Sequence, residues 1–180
     1  MKTIFCDCDG VLSNFIGEAA AAWGRQGYVA PRWNFFEDWG LTEEQFWARI
    51  DGQGEDFWTF MQPMSDYQEI YQMCSYFADE VVILTSPPRA HWAWSGRVKW
   101  IQRMFGGPAF RDFSLTPSGL KHLFAAPGRL LLDDSTPNVD QFKAAGGDSL
   151  LWPQPWNENR GVIGSRLTWL ERNLGIWRRT

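Results

Sequence analysis

The chain has 180 residues and a formal net charge of −4, so it lacks the basic excess that lets a protein bind duplex DNA regardless of sequence. No apolar run is long enough to span a bilayer. With 44% hydrophobic residues the chain can bury a substantial core, as one domain or one domain carrying an insertion. The N-terminus reads directly into a strand, without a signal-peptide pattern. Cys6 and Cys8 lie too close on one strand to pair readily, and a zinc site would need more partners than His91 and His122 supply. Reduced thiols and a cytoplasmic location are the expectation.

In chain order, Ile4, Phe5 and Cys6 suit a buried strand that ends before Gly10. Phe15, Ile16, Ala19, Ala20 and Trp23 have the spacing of an amphipathic helix, closed by Gly24 and Gly27. Residues 28–40 are aromatic and irregular. Thr42-Glu43-Glu44-Gln45 reads as a capping box opening a short helix, Asp51 to Gly54 as a loop, and Ser65-Asp66-Tyr67-Gln68 as a second capping box. Val81–Thr85 is a strand. The helix after Pro87-Pro88 carries a stripe of Trp94, Val98, Ile101 and Phe105, expected to be core packing without chemistry. After a strand at 110–115, Thr116-Pro117 is expected to open a helix bearing Lys121. A strand at 129–133, a helix from Thr136-Pro137 to Gly146-Gly147, a strand at 148–151 and a final helix with Leu167, Leu170 and Leu174 complete the chain. Strands alternating with helices argue an α/β fold with a doubly wound parallel sheet. Residues 1–13 and 77–180 would form the core, and 14–76 a helical insertion after the first strand.

The polar residues at the strand ends carry the functional signal. Asp7 and Asp9 stand two apart, so on a strand both carboxylates point to one side. Two such acids repel and resist burial unless a cation lies between them, and oxygen ligands beside a phosphate suit Mg2+. Asp-x-Asp-Gly alone is a common turn sequence. Three later segments add weight: Leu84-Thr85-Ser86 ends a strand in hydroxyls, Lys121 is one of four lysines, and Leu132-Asp133-Asp134 ends another strand in two acids. Ligands gather at the carboxyl ends of strands in open α/β sheets.

With these residues, and with Pro87 and Asn138, the chain resembles the haloacid dehalogenase-like phosphohydrolases. Within them it is most similar to the 5'(3')-deoxyribonucleotidase group with its bacterial and phage relatives. The resemblance covers most of the chain outside 14–76. It implies a haloacid dehalogenase-like core with the insertion as a cap over the active site, and a Mg2+-dependent nucleotidase. Asp7 would be the nucleophile that forms an aspartyl-phosphate, and Asp9 the general acid, then base. The Asp9 backbone carbonyl would join Asp7 and Asp134 on the metal, with Asp133 as neighbour or ligand. Thr85, the better candidate, or Ser86 would bind phosphate oxygens, and Lys121 would neutralise developing charge. Asn138 would orient metal-bound water or be a simple helix residue.

Flat rings stack on bases, so Trp33, Phe35, Phe36, Trp47 and Trp58 are candidates for a base site, with most of them packing the insertion. Asn14 and Phe15 would floor the pocket. Gln154 and Asn157 would contact either a base or a neighbouring loop. The expected substrate is a (deoxy)nucleoside 5'-monophosphate; alternatives are another small phosphate ester, a nucleic-acid phosphate end, or nucleotide binding without turnover. No stable nucleic-acid or membrane partner is expected, and a homodimer is compatible with the sequence.

Overall fold

The computed structural model describes residues 1–180. Five strands, β1 (Thr3–Cys6), β2 (Glu80–Thr85), β3 (Phe113–Leu115), β4 (Arg129–Asp133) and β5 (Asp148–Leu151), form one sheet in the order β3-β2-β1-β4-β5. Every pairing is parallel, and Cys6 stands level with Ile83 on one side and Leu132 on the other. The central strands are continuous apolar runs because both faces of a parallel sheet are covered.

The period of two sorts their side chains. Ile4, Cys6, Ile83, Leu130 and Leu132 join the large core. Phe5, Leu84 and Leu131 face the other way, onto Phe142 of α6 (Thr136–Ala144) and the flanking Phe124. The chain runs β1, β2, β3 outward on one side and then crosses to β4 and β5 on the other. Strand order therefore reverses between β1 and β4, where crevices open in such sheets.

Between β1 and β2 lie α1 (Phe15–Ala22), a 3-10 turn (Phe35–Trp39), α2 (Glu43–Asp51), α3 (Gly54–Thr59) and α4 (Tyr67–Phe77). Asn14 Oδ1 accepts from Gly17 N and opens α1. The Thr42 capping box forms as the sequence predicts: Thr42 Oγ1 accepts from Gln45 N at 3.2 Å, and Gln45 Oε1 from Thr42 N at 2.9 Å. The second box does not form. The Asp66 carboxylate instead takes a two-pronged ion pair from Arg166, at 2.6 and 2.8 Å, at the start of α7 (Arg166–Arg179). The box would need Ser65 as its cap and Gln68 reaching back, but the helix opens one residue later, with Asp66 at the cap position, and the Gln68 amide donates to the Tyr67 hydroxyl. The Asp66–Arg166 contact ties α4 to α7, and α4 also packs on β2, as a crossover helix of the sheet does. Within the 14–76 insertion α4 is thus the helix that packs on β2, and the rest is the stretch from Asn14 to about Pro63. Its two ends lie side by side, Asn14 N donating to the Gln62 carbonyl and Met64 N to that of Leu12, both at 2.9 Å.

Helix α5 (His91–Phe105) differs most from its sequence reading. Its fully covered face is Ala93, Gly96, Arg97, Trp100 and Ile101, whereas Trp94 and Val98 are only half-buried. α3 lies directly across α5: a Cβ on Gly96 would come within 2.6 Å of Trp58 Cβ and 2.7 Å of the Glu55 carbonyl. The covered face is thus rotated toward the insertion, and it carries an arginine. The expected helix from Thr116 is also absent. A turn at Ser118-Gly119 leads into a 3-10 turn, Lys121–Phe124.

Candidate active site

β1 ends at Cys6, and Asp7 is held level with β4 by its N–H donating to the Leu132 carbonyl at 3.0 Å. The chain then turns sharply, with the N–H groups of Val11, Leu12 and Ser13 all directed at the Cys8 carbonyl. Asp9 therefore sits in a turn beyond the strand, and the two carboxylates take different cations. The turn requires Gly10, whose φ is +82°; a Cβ there would lie 2.3 Å from Asp134 Oδ2.

Lys121 is buried and bridges Asp7 Oδ1 at 2.6 Å and Asp133 Oδ2 at 2.7 Å. Asp133 is fully engaged, since Ser135 N donates to Oδ1 at 2.9 Å and Asn138 Nδ2 to both oxygens at 3.2 and 3.1 Å. Asn138 thus orients Asp133. Asp134 accepts from Trp156 Nε1 at 2.8 Å and faces Gly10. Of the two adjacent acids, Asp134 is the freer to take a ligand. Gln154 and Asn157 brace this loop rather than a base: Gln154 Nε2 donates to the Gly10 carbonyl, and Asn157 Nδ2 to those of Asp134 and Trp152.

Carboxylate oxygens of Asp7, Asp133 and Asp134 all lie within 4.8 Å of one another, and all three residues are buried. Burial, only partly offset by Lys121 and reinforced by Asp133 and Asp9, pushes the Asp7 carboxyl up to about 7. Burial, with Asp133 and Asp7 nearby, holds Asp134 well above the usual carboxylate range. Burial works against the Lys121 ammonium, but Asp133 and Asp7 outweigh it and keep its proton firmly bound. Three acids against one ammonium leave a formal excess of two negative charges, which suits a divalent cation held through hard oxygen ligands.

The cluster opens on a cleft with two adjoining halves. One, of about 500 Å3, is lined by Asp7, Lys121, Asp134, Asn138 and Trp156. The other, of about 520 Å3, is walled by Phe15, Trp47 and Trp58, with Glu43, Asp51 and Arg89 among its polar groups. Asp9, Trp33, Ser86 and Ser118 border both. Phe15 stacks between Trp47 and Trp58, 5.8 Å from each ring. Trp33 is 48% exposed and stands 6.4 Å from the Trp156 ring. Phe36 stacks on Phe46 at 4.8 Å, and both Phe35 and Phe36 are buried in the insertion, away from the cleft.

Ser86 borders the cleft, whereas Thr85 lies beneath it beside the weakly bonding Cys8 thiol. Neither Thr85 Oγ1 nor Ser86 Oγ has a hydrogen-bond partner. Buried hydroxyls are rarely left unpaired, and at a binding site a ligand oxygen is the natural partner. Arg97, Ser118 and Trp156 also belong to this region and carry no motif. All three cysteines are buried and free, and no helix is long and apolar enough to cross a membrane.

No family model and no curated protein matches the chain in sequence. Solved structures do match in fold. A hydrolase from Streptococcus pneumoniae TIGR4 aligns with a TM-score of 0.55 at 13% identity, over 86% of this chain and 95% of its own. The HAD-type protein YfnB from Bacillus subtilis, bound to magnesium, aligns at 0.51 and 15% identity, over 82% and 85%. A HAD family hydrolase from Deinococcus radiodurans R1, with bound phosphate and sodium, aligns at 0.50 and 16% identity, over 94% and 88%. The sheet and its flanking helices are thus those of the HAD hydrolase fold.

Proposed function

We propose that the protein is a Mg2+-dependent phosphatase of (deoxy)nucleoside 5'-monophosphates that works through an aspartyl-phosphate on Asp7. The observation that carries this reading is Asp7 itself: a buried carboxylate, bound by Lys121 and grouped with Asp134, at the floor of a cleft whose far half is aromatic. Magnesium and phosphate bound to proteins of the same fold support it.

Asp7 and Asp134 would hold the metal, joined by the Asp9 carbonyl as the family resemblance implies, while Asp133 stays committed to Lys121. Once bound, the ion would supply charge neutralisation at the phosphate. A carboxylate oxygen of Asp7 attacks phosphorus, and Asp9 gives its proton to the departing nucleoside oxygen. Water then attacks the phosphoryl group, Asp9 takes the proton, and the bond to Asp7 breaks to release inorganic phosphate. Lys121 keeps its charge throughout and offsets that of the phosphoryl oxygens, toward which the Ser86 hydroxyl is free to turn. Trp33 and Trp47 offer faces for a base, and Glu43 and Asp51 offer acceptors for its N–H groups. The free, buried thiols agree with a cytoplasmic protein.

The test is phosphate release with Mg2+ from ribo- and deoxyribonucleoside 5'- and 3'-monophosphates, with sugar phosphates as controls. Selective turnover of nucleotides is expected. Turnover of sugar phosphates alone would keep the mechanism and refute the aromatic base site.

A further inference from the structure

The mechanism above leaves one buried cation unused. Arg97 projects from the covered face of α5 and is fully shielded from water. Its Nη2 donates to Asp9 Oδ1 at 2.5 Å and its Nη1 to Ser13 Oγ at 3.0 Å. Ser13 Oγ in turn donates to the same Asp9 oxygen at 2.8 Å. The guanidinium sits between two indoles, 5.3 Å from the Trp58 ring and 5.4 Å from that of Trp100. Trp100 is itself anchored by Nε1 donating to the Met61 carbonyl at 2.8 Å. Both arms that grip Asp9 are thus rooted where the insertion joins the sheet.

A buried ion pair is weak evidence for a stability role, because a well-packed apolar pair serves as well or better. What an arginine provides here is direction. Its planar fork reaches Asp9 and Ser13 together, and the indole faces hold the plane. We propose that Arg97 is a positioning residue for Asp9. With Ser13 it pins Oδ1, so that Oδ2 is presented to the bridging oxygen of the phosphate ester. This rests on the phosphatase reading above and adds to it the device that aims the acid.

The test exploits leaving groups. Formation of the aspartyl-phosphate from a nucleoside 5'-monophosphate requires a proton on the departing alkoxide, whereas p-nitrophenolate departs without one. Because kcat/KM reports the steps through that first transfer, Arg97→Met should lower it at least about tenfold more for the nucleotide than for p-nitrophenyl phosphate. Arg97→Lys keeps the charge but not the fork, so it should recover only a minor part of the difference, and full recovery would overturn the directional role. Ser13→Ala should give the same ordering more weakly, and it serves if Arg97→Met fails to fold. Equal losses on both substrates in a folded variant, or no loss on either, would overturn the positioning role alone. A wild-type protein that hydrolyses neither ester with Mg2+ present would overturn the phosphatase reading, and the role of Arg97 with it.

Discussion

The two halves of the cleft are held together by different forces. Around Asp7 each carboxylate has a cation or an N–H donor: Lys121 bridges two of them, Asn138 and Ser135 also hold the second, and Trp156 holds the third. Around Phe15 the walls are rings stacked on rings, with Trp33 about half in solvent. Hydrogen-bonded charges at strand ends have few alternative arrangements, whereas ring contacts are held by packing without directional bonds. On the proposed function the comparison teaches a division of labour: the carboxyl ends of the central strands would fix where a phosphoryl group reacts, and the insertion would select what it is attached to.

Substitutions should separate the two halves. Asp7→Asn should cost turnover about 10^4-fold or more on every substrate while leaving the fold intact, checked by phosphate release beside circular dichroism. Residual activity within tenfold of wild type would place the nucleophile elsewhere. Lys121→Met leaves Asp7 and Asp133 buried without their cation and should cost about 3–5 kcal/mol in urea denaturation. Trp33→Ala, at a half-exposed ring, should leave stability unchanged and raise KM for nucleotides about fivefold or more, with p-nitrophenyl phosphate unaffected. If Trp33→Ala slows both substrates alike, the division between the halves is wrong.

Acidity offers a subtler probe. In the folded protein Asp7 titrates at about 7, against an ordinary 3.8, so between those values the native state holds a proton that the unfolded chain has lost. Stability of the metal-free protein therefore falls as pH rises from about 4 to about 7. Asp7→Asn has no such group, so its melting temperature should climb relative to wild type across that window and hold a constant gap above it. Calorimetry in EDTA measures this, and a gap independent of pH would mean that Asp7 ionises freely.

The sheet was legible because its strands are short apolar runs ending in polar residues, and Asp7, Asp133 and Asp134 sit at those ends by the same logic. Lys121 could be picked out as a residue but not placed, since Gly119 with φ +80° turns the chain where a helix was expected. Non-local choices were hidden altogether. Asp66 looked like part of a cap until Arg166, one hundred residues later, claimed it. Arg97 carried no signal in the sequence, because its partners Asp9, Ser13 and Trp58 meet it only in the folded chain. The stripe read on α5 missed by a fraction of a turn because the deeper contact there is with α3.

One hydrophobic cluster runs without a break from Ile4 and Leu132 in the sheet through Phe15, Phe46 and Trp58 in the insertion. An insertion built this way has no seam along which to swing. Opening it as a rigid body would wet the rings at its base, at roughly 1.5–3 kcal/mol for each large side chain exposed. On the proposed function, substrate would pass by movements at the mouth, such as rotation of the half-exposed Trp33, and side-chain rotations of exposed residues belong to the nanosecond range rather than the millisecond range of hinged domains. On that account no slow opening step would stand between one turnover and the next.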